Sequence, residues 1–122
     1  MSPPTFHLSP GAPIGGTSGL AEAELVPADI VRRFGRARGT GDFKCSASYT
    51  FQDNNGNVYT LYDWKCTSAW EIANGQAPDE EFATLPSPDE FWSLDRPVTL
   101  NIGGHRDCGD LEAFIEFLRQ PA

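Results

Sequence analysis

Hydrophobic and polar residues alternate most regularly between positions 43 and 67, in two runs that flank Asp53-Asn54-Asn55-Gly56-Asn57. Asn55-Gly56 is the favoured pair for a two-residue type I′ turn, so the pattern predicts a β-hairpin. In that register Tyr49 lies opposite Tyr62, and Cys45 lies opposite Cys66. A one-residue slip would exchange the faces of one strand, so a clean separation of faces supports the register. The apolar, aromatic face collects Cys45, Ala47, Tyr49, Phe51, Thr60, Tyr62, Trp64 and Cys66.

Helical spacing appears on both sides of the hairpin. Pro27 suits the first position of a helix, and the apolar stripe through Ile30, Val31 and Phe34 predicts a short helix over 27–34 that Gly35 ends. Near the other end of the chain, apolar residues at helical spacing predict a helix over 107–119. A third strand is predicted over 97–102, where Val98-Thr99-Leu100-Asn101-Ile102 alternates before Gly103-Gly104 ends it.

These elements predict an α+β fold in a single domain over residues 25–122. The expected architecture is a two-layer sandwich. Its small, mainly antiparallel sheet is built on the central hairpin and the third strand, and the C-terminal helix covers that sheet. Residues 1–24 are rich in Pro, Gly, Ser and Thr and are interpreted as a flexible arm. Within this arm only residues 5–8 are expected to add an edge strand.

Charge is distributed unevenly along the chain. The segment 71–95 contains seven carboxylates and no Lys or Arg, whereas the region before the hairpin is basic. Within the acidic segment, Ser87-Pro88-Asp89-Glu90 predicts a helix start with a capping box. The acidic residues are Glu71, Asp79, Glu80, Glu81, Asp89, Glu90 and Asp95, and the basic ones are Arg32, Arg33, Arg36, Arg38 and Lys44.

The overall composition narrows the class of partner. A net charge of −8 over 122 residues disfavours direct binding to nucleic acid or to an anionic membrane, and it favours a basic protein surface. The first residues show neither the basic start nor the apolar run of a secretory signal, so we expect no leader unless one has been cleaved, and no stretch approaches the length of a membrane span. Three cysteines fit a reducing compartment. We therefore expect a soluble protein in the cytoplasm of a cell or of an infected host, without a cofactor.

Cys45 and Cys66 are the first candidate for chemistry, since the predicted register places them directly opposite each other. At a non-hydrogen-bonded site of an antiparallel ladder the Cα atoms lie about 4.5 Å apart, at the short end of what a disulfide tolerates. Free cysteine is also among the most buried residue types. The pair is therefore interpreted as either a disulfide or two buried thiols.

The turn Gly103-Gly104-His105-Arg106-Asp107-Cys108 is the second candidate, as part of an anion-binding, metal-binding or small enzymatic site. Backbone N–H groups at a helix start attract anions, and His105 and Arg106 would assist, but Asp107 and Asp110 would repel a second anion. Zinc would need Cys45 and Cys66 as further ligands, at a spacing unlike that of structural zinc sites. A His105–Cys108 couple lacks a third, orienting group. We therefore expect no metal and favour a protein that is not an enzyme.

An interaction function accounts best for acidic and aromatic residues that occur together. The predicted partner-binding residues are Trp70, Glu71, Asp79, Glu80, Glu81, Phe82, Asp89, Glu90, Phe91 and Trp92. Small acidic domains of this kind include phage-encoded inhibitors of host defence enzymes and toxin-neutralising immunity proteins, an analogy of size and charge alone. The expected function is therefore that of a protein-interaction module, of inhibitor or immunity type, directed at a basic surface.

Overall fold

The structure is a computed structural model that describes residues 4–36, 38–39, 46–105 and 109–120. The strands are β1 (Phe6–Leu8), β2 (Ser18–Leu25), β3 (Arg38–Gly39), β4 (Ala47–Asp53), β5 (Val58–Tyr62) and β6 (Val98–Gly104). The helices are α1 (Pro27–Phe34), α2 (Ser68–Ala73), α3 (Pro88–Phe91) and α4 (Leu111–Leu118), with a 3₁₀ turn at Glu80–Phe82. This content confirms the predicted α+β class.

One antiparallel sheet organises the fold, with the strands in the order β1-β4-β5-β6-β2. The short strand β3 also pairs with β4, beyond β1 on the same side. Helices α1, α3 and α4 contribute to the hydrophobic core on one face of the sheet, and α4 is the predicted C-terminal helix. The ring of Tyr59 in β5 stacks on Phe114 in α4, with centroids 4.6 Å apart. The sandwich of a sheet and a helical layer is therefore as predicted.

The register of the hairpin differs from the prediction by one residue. Tyr49 pairs with Leu61 rather than Tyr62, and Phe51 pairs with Tyr59. The core face of β4 is as predicted, but in β5 the core face carries Tyr59 and Leu61. Both side chains are fully buried. The predicted opposition of Cys45 and Cys66 was based on the other register, but Cys45 lies outside the described residues, so that pairing stays a prediction.

Asp53 is the physical reason for this shift. Its side chain accepts hydrogen bonds from the backbone N–H groups of Asn55 (2.8 Å) and Asn57 (3.0 Å). Asp53 and Asn57 therefore close a three-residue turn, in which Gly56 N donates to Asp53 O at 3.1 Å. Gly56 has a φ of 84°, the left-handed conformation that ends such a turn. The Asn55-Gly56 pair is used, but in a longer turn than the type I′ turn that we predicted.

The segment predicted as an arm contributes two strands to the sheet. β1 confirms the edge strand expected near residues 5–8. The flexible-arm interpretation is wrong for residues 18–24, because they belong to β2, which pairs with β6 on both sides of an irregularity between Gly19 and Ala21. Ala23 and Leu25 are buried in the core, and the two small alanines of this strand gave little hydrophobic signal in the sequence. The core therefore requires part of the predicted arm.

The other helices and strands lie where local sequence signals predicted them, although some of their ends differ. α1 has the predicted bounds, and Ser87 and Glu90 form both hydrogen bonds of the predicted capping box. β6 extends beyond the predicted 97–102 because both glycines lie inside it, where a Cβ on Gly104 would approach Val58 O to 3.0 Å. α4 begins at Leu111 instead of 107, with Asp110 as its N-cap. The glycines therefore permit close strand packing and do not end the strand.

Candidate interaction site

The loop over residues 67–87, here called the acidic loop, leaves the sheet after β5 and returns at α3. Its two ends are adjacent, since Ser68 N donates a hydrogen bond to Pro86 O at 2.8 Å. The loop contains α2 and the 3₁₀ turn. Surface loops whose two ends lie close together and whose own side chains pack within the loop are frequently functional. The acidic loop is therefore the first place to look for a binding surface.

Glu71 anchors the acidic loop from the inside. Its side chain is 4% exposed, and its carboxylate accepts hydrogen bonds from Thr84 N (3.0 Å), the Thr84 hydroxyl (2.9 Å) and Leu85 N. The Thr84 backbone N–H is the main cause that lowers the pKa of Glu71, and Leu85 N and the Thr84 hydroxyl act in the same direction against the effect of desolvation. Glu71 was predicted to contact a partner, but it is a buried structural residue and is not available to one.

The exposed end of the loop, here called the acidic tip, consists of Asp79, Glu80, Glu81 and Phe82. Asp79 accepts a hydrogen bond from Glu81 N at 3.0 Å, and the Ser68 hydroxyl donates to Glu80 at 2.7 Å. Phe82 is 61% exposed, the largest exposure among the large hydrophobic residues of the described chain. Within the described residues no Lys, Arg or His forms an ion pair with the three carboxylates. The tip therefore displays three uncompensated charges beside one aromatic ring.

The remaining predicted acidic residues are engaged within the protein. Asp89 pairs with Arg36 at 2.7 Å, and Asp95 lies 4.0 Å from Arg32. Glu90 closes the capping box of α3. Arg33 donates to Phe117 O at 2.7 Å and so caps the C-terminal end of α4. The bipolar charge layout of the sequence is thus partly an internal pairing of acidic and basic residues.

The aromatic residues of the acidic segment divide into buried and accessible groups. Phe91 and Trp92 were predicted to bind a partner, but they are 4% and 9% exposed and belong to the core. Trp70 is half-buried, with Lys65 Nζ 4.6 Å above its ring. Trp64 is 43% exposed, although the predicted register assigned it to the core face. Phe82 and the Trp64–Lys65–Trp70 group therefore supply the accessible aromatic surface.

The Gly103–Cys108 turn is only partly covered by the described residues. Gly103 and Gly104 are buried inside β6 and pair with strands on both sides, so their backbone groups belong to the sheet ladder. His105 lies close to the position that a Cβ on Gly16 would occupy. Arg106, Asp107 and Cys108 lie outside the described residues. The geometry of the two glycines does not match that of a free anion-binding loop.

Cys66 is half-buried and packs against the core. Its thiol donates to Trp64 O at 3.1 Å. Burial is the main cause that raises the pKa of Cys66, and the charge of Asp63 adds to it. A raised pKa keeps the thiol protonated and weakly nucleophilic.

In the part of the chain that the structure describes, no group of three or more His, Cys, Asp or Glu side chains is arranged to hold a metal ion. None of the helices in the described ranges combines the length and apolar character needed to cross a bilayer.

Comparison of the sequence with known protein families and with curated proteins gives no match. The residues of the acidic tip were predicted from the sequence to bind a partner, and that role stays a prediction. The exposure of Trp64 was not predicted, because the predicted register differs from the observed one by one residue. Nothing in the sequence around Glu71 distinguishes it from the carboxylates that remain exposed.

Proposed function

We propose that this protein is a small acidic protein-interaction module, of inhibitor or immunity type, whose acidic tip binds a basic surface of a partner protein. The observation that carries the proposal is the 61% exposure of Phe82 beside Asp79, Glu80 and Glu81, which have no cationic partner among the described residues. An aromatic ring with flanking charges combines an affinity anchor with electrostatic steering.

The internal anchoring of the acidic loop supports this proposal. The Ser68–Pro86 contact and the Glu71 carboxylate hold the loop at its base, so the tip projects from a fixed frame. A pre-organised surface loses less conformational entropy on binding than a free segment of the same sequence. Trp70 lies in the same loop and extends the accessible aromatic surface toward Trp64.

The two kinds of residue have separable roles in binding. Exposed charges act mainly on the association rate and are screened by salt beyond about 8 Å at physiological ionic strength. A buried aromatic anchor acts mainly on dissociation. We therefore expect reversal of the charges to slow association and removal of the Phe82 ring to speed dissociation.

The test begins with affinity capture of a partner from the native host, followed by binding kinetics with the purified partner. Glu80→Lys with Glu81→Lys should slow association about tenfold at low salt and much less at high salt. Phe82→Ala should mainly raise the dissociation rate. Ser68→Ala is the matched control for the Glu80 hydrogen bond, because it removes that bond and keeps the charge.

A second control distinguishes the effect of the acidic tip from the effect of net charge. Glu112 and Glu116 are exposed on α4, so their replacement by Lys changes the charge by the same amount at a different surface. An association rate that responds equally to both charge reversals, or to neither, would contradict recognition by the acidic tip. Melting temperatures of all variants show whether each protein is folded.

A further inference from the structure

The two edges of the sheet are built differently. On one side β4 is flanked by β1 and β3, which have only three and two residues. On the other side the last strand is β2, which has eight residues. Short edge strands are a common protection against pairing with other chains, whereas a long edge strand can act as a template for one. The β2 edge is therefore the side of the sheet at which another strand could be added.

The outward backbone groups of β2 are available for pairing. In an antiparallel ladder, alternate residues direct both N–H and C=O away from the neighbouring strand. Across the described ranges β2 pairs with β6 alone, and no other hydrogen bond reaches residues 18–25. The exposed edge thus presents a regular row of donors and acceptors over residues 21–25, beyond the irregularity between Gly19 and Ala21.

The surroundings of this edge indicate what kind of strand would fit. Glu22 and Glu24 are exposed on the face away from the helices, and they alternate with the buried Ala23 and Leu25. At the Leu25 end, a cavity of about 300 Å³ opens between β2, α1 and the end of α4. Its lining includes Val26, Ile30 and Leu118, with Glu24, Asp29 and Arg119 as charged residues. The edge is therefore acidic on one face, and near the Leu25 end it borders a cavity lined by both apolar and charged residues.

We propose that β2 is a docking edge for an extended basic segment of another protein, which adds to the sheet as a further strand. Backbone hydrogen bonds along β2 would supply much of the affinity, and alternate Lys or Arg side chains would lie opposite Glu22 and Glu24. This surface is separate from the acidic tip, and the inference does not rest on the proposed function.

A second copy of the chain is a poorer occupant of the same edge. Antiparallel pairing of two β2 strands centred on Ala23, which joins residues 21–25 of the two copies, would place Glu22 of each copy opposite Glu24 of the other. Like charges directly opposite each other destabilise a strand pair. Each chain also carries a net charge of −8, which adds to the repulsion. Charge complementarity thus favours a basic segment of a different protein.

The first test uses the full chain and a synthetic eight-residue peptide that alternates lysine and valine. Amide hydrogen exchange is followed by NMR with and without the peptide. The amides of residues 18–25 that do not bond to β6 should exchange more slowly when the peptide is present. The same peptide methylated at every backbone nitrogen should give no protection, because it cannot donate to the sheet edge. Equal protection by both peptides, or no protection in 18–25, would overturn the proposal.

The second test compares two double charge reversals. Glu22→Lys with Glu24→Lys should weaken binding of the lysine–valine peptide about tenfold and should strengthen binding of a glutamate–valine peptide. Glu112→Lys with Glu116→Lys makes the same change of charge on the exposed side of α4 and should leave the peptide affinity within about twofold. If both variants lost the same amount of peptide affinity, the effect would come from net charge alone, and docking on β2 would be overturned. A footprint confined to residues 79–82 would also overturn it, while agreeing with the proposed function.

Sedimentation of the free chain tests the competing occupant. A monomer with rapidly exchanging outward amides in β2 is the expected result. A dimer in which these amides are protected without any peptide would overturn the proposal in favour of self-pairing.

Discussion

The Tyr59 hydroxyl donates a hydrogen bond to Oδ2 of Asp53, 3.1 Å away, where both side chains are almost completely buried. The same hydroxyl accepts a hydrogen bond at 2.8 Å from the backbone N–H of Asp110, which caps α4. One phenol group thus joins the hairpin turn to the start of the C-terminal helix. Both elements were predicted from local patterns, but their connection depends on the three-dimensional fold.

Replacement of Tyr59 by Phe should destabilise the protein by about 1–3 kcal/mol, because it leaves a buried carboxylate and a backbone N–H each short of a partner. Urea unfolding measures this loss. Tyr49→Phe is the comparison, since the Tyr49 hydroxyl makes a single bond to Gly35 O at 2.6 Å and Gly35 is exposed. Water can replace that partner, so the loss should be smaller. Equal losses would show that the Tyr59 hydroxyl has no special role.

Gly109→Ala should be more damaging than the same substitution at Gly75. Both glycines have a φ of 81°, so alanine at either position has the backbone cost of the left-handed conformation, about 1–2 kcal/mol. A Cβ at Gly109 would also overlap the Tyr59 hydroxyl, whereas nothing lies within 4 Å of a Cβ at Gly75. Crowding in the interior adds roughly 1–3 kcal/mol. Thermal and urea unfolding of the two variants should show this difference, and similar stabilities would contradict the packing around Tyr59.

Stability should fall on the acid side, below about pH 4. Burial alone would raise the pKa of Asp53, but hydrogen bonds from the Asn57 side chain, from the backbone N–H groups of Asn55 and Asn57, and from Tyr59 outweigh it and lower the pKa. The pKa of Glu71 is lowered as well, chiefly by Thr84 N. A carboxyl group with a lowered folded-state pKa stabilises the protein above its unfolded-state pKa. This contribution is lost as the pH falls through the folded-state value.

Urea unfolding between pH 2 and 7 measures this dependence. Asp53→Asn and Glu71→Gln should each be less stable at neutral pH and should lose less stability on acidification than the unmodified protein. An unchanged pH profile in either variant would show that its carboxylate is not responsible for the acid sensitivity.

The secondary structure was largely predictable because its signals are local. Pro27 and Gly35 bound α1, and Ser87 with Glu90 caps α3, through contacts within a few residues. The hairpin itself was also predictable, as was the core face of β4. What failed was the exact register, since the side chain of Asp53 selects a three-residue turn that Asn55-Gly56 alone does not reveal. This one-residue shift exchanged the two faces of β5 and hid the exposure of Trp64.

The candidate site was predictable only in outline, because burial depends on contacts between distant residues. Glu71 and Glu81 are both acidic residues of the same segment, but the backbone groups at Thr84 and Leu85 surround only Glu71. Likewise, β2 has few large apolar residues and becomes a strand through its pairing with β6. A sequence pattern records neither kind of long-range partner.

Phe82 and Phe91 should differ sharply in their effect on stability, although both occur in similar acidic sequences. Phe91→Ala should destabilise the protein by about 3–5 kcal/mol, because Phe91 is 4% exposed and belongs to the core. Phe82→Ala should change stability by no more than about 0.5 kcal/mol, since 61% of the residue is exposed. Differential scanning calorimetry of both variants tests the comparison. A large loss for Phe82→Ala would mean that its ring supports the loop instead of a partner.

The pairing of β2 with β6 constrains the order in which the chain folds during synthesis. The β4–β5 hairpin joins segments close in sequence and can form as soon as both strands have left the ribosome. β2 is made much earlier, but its partner β6 lies far along the chain, so loop closure over most of the domain must precede their pairing. β2 is therefore synthesised early but pairs with β6 only late. In that interval the charges of Glu22 and Glu24 protect a nascent, unpaired strand from joining its neighbours on the same polysome.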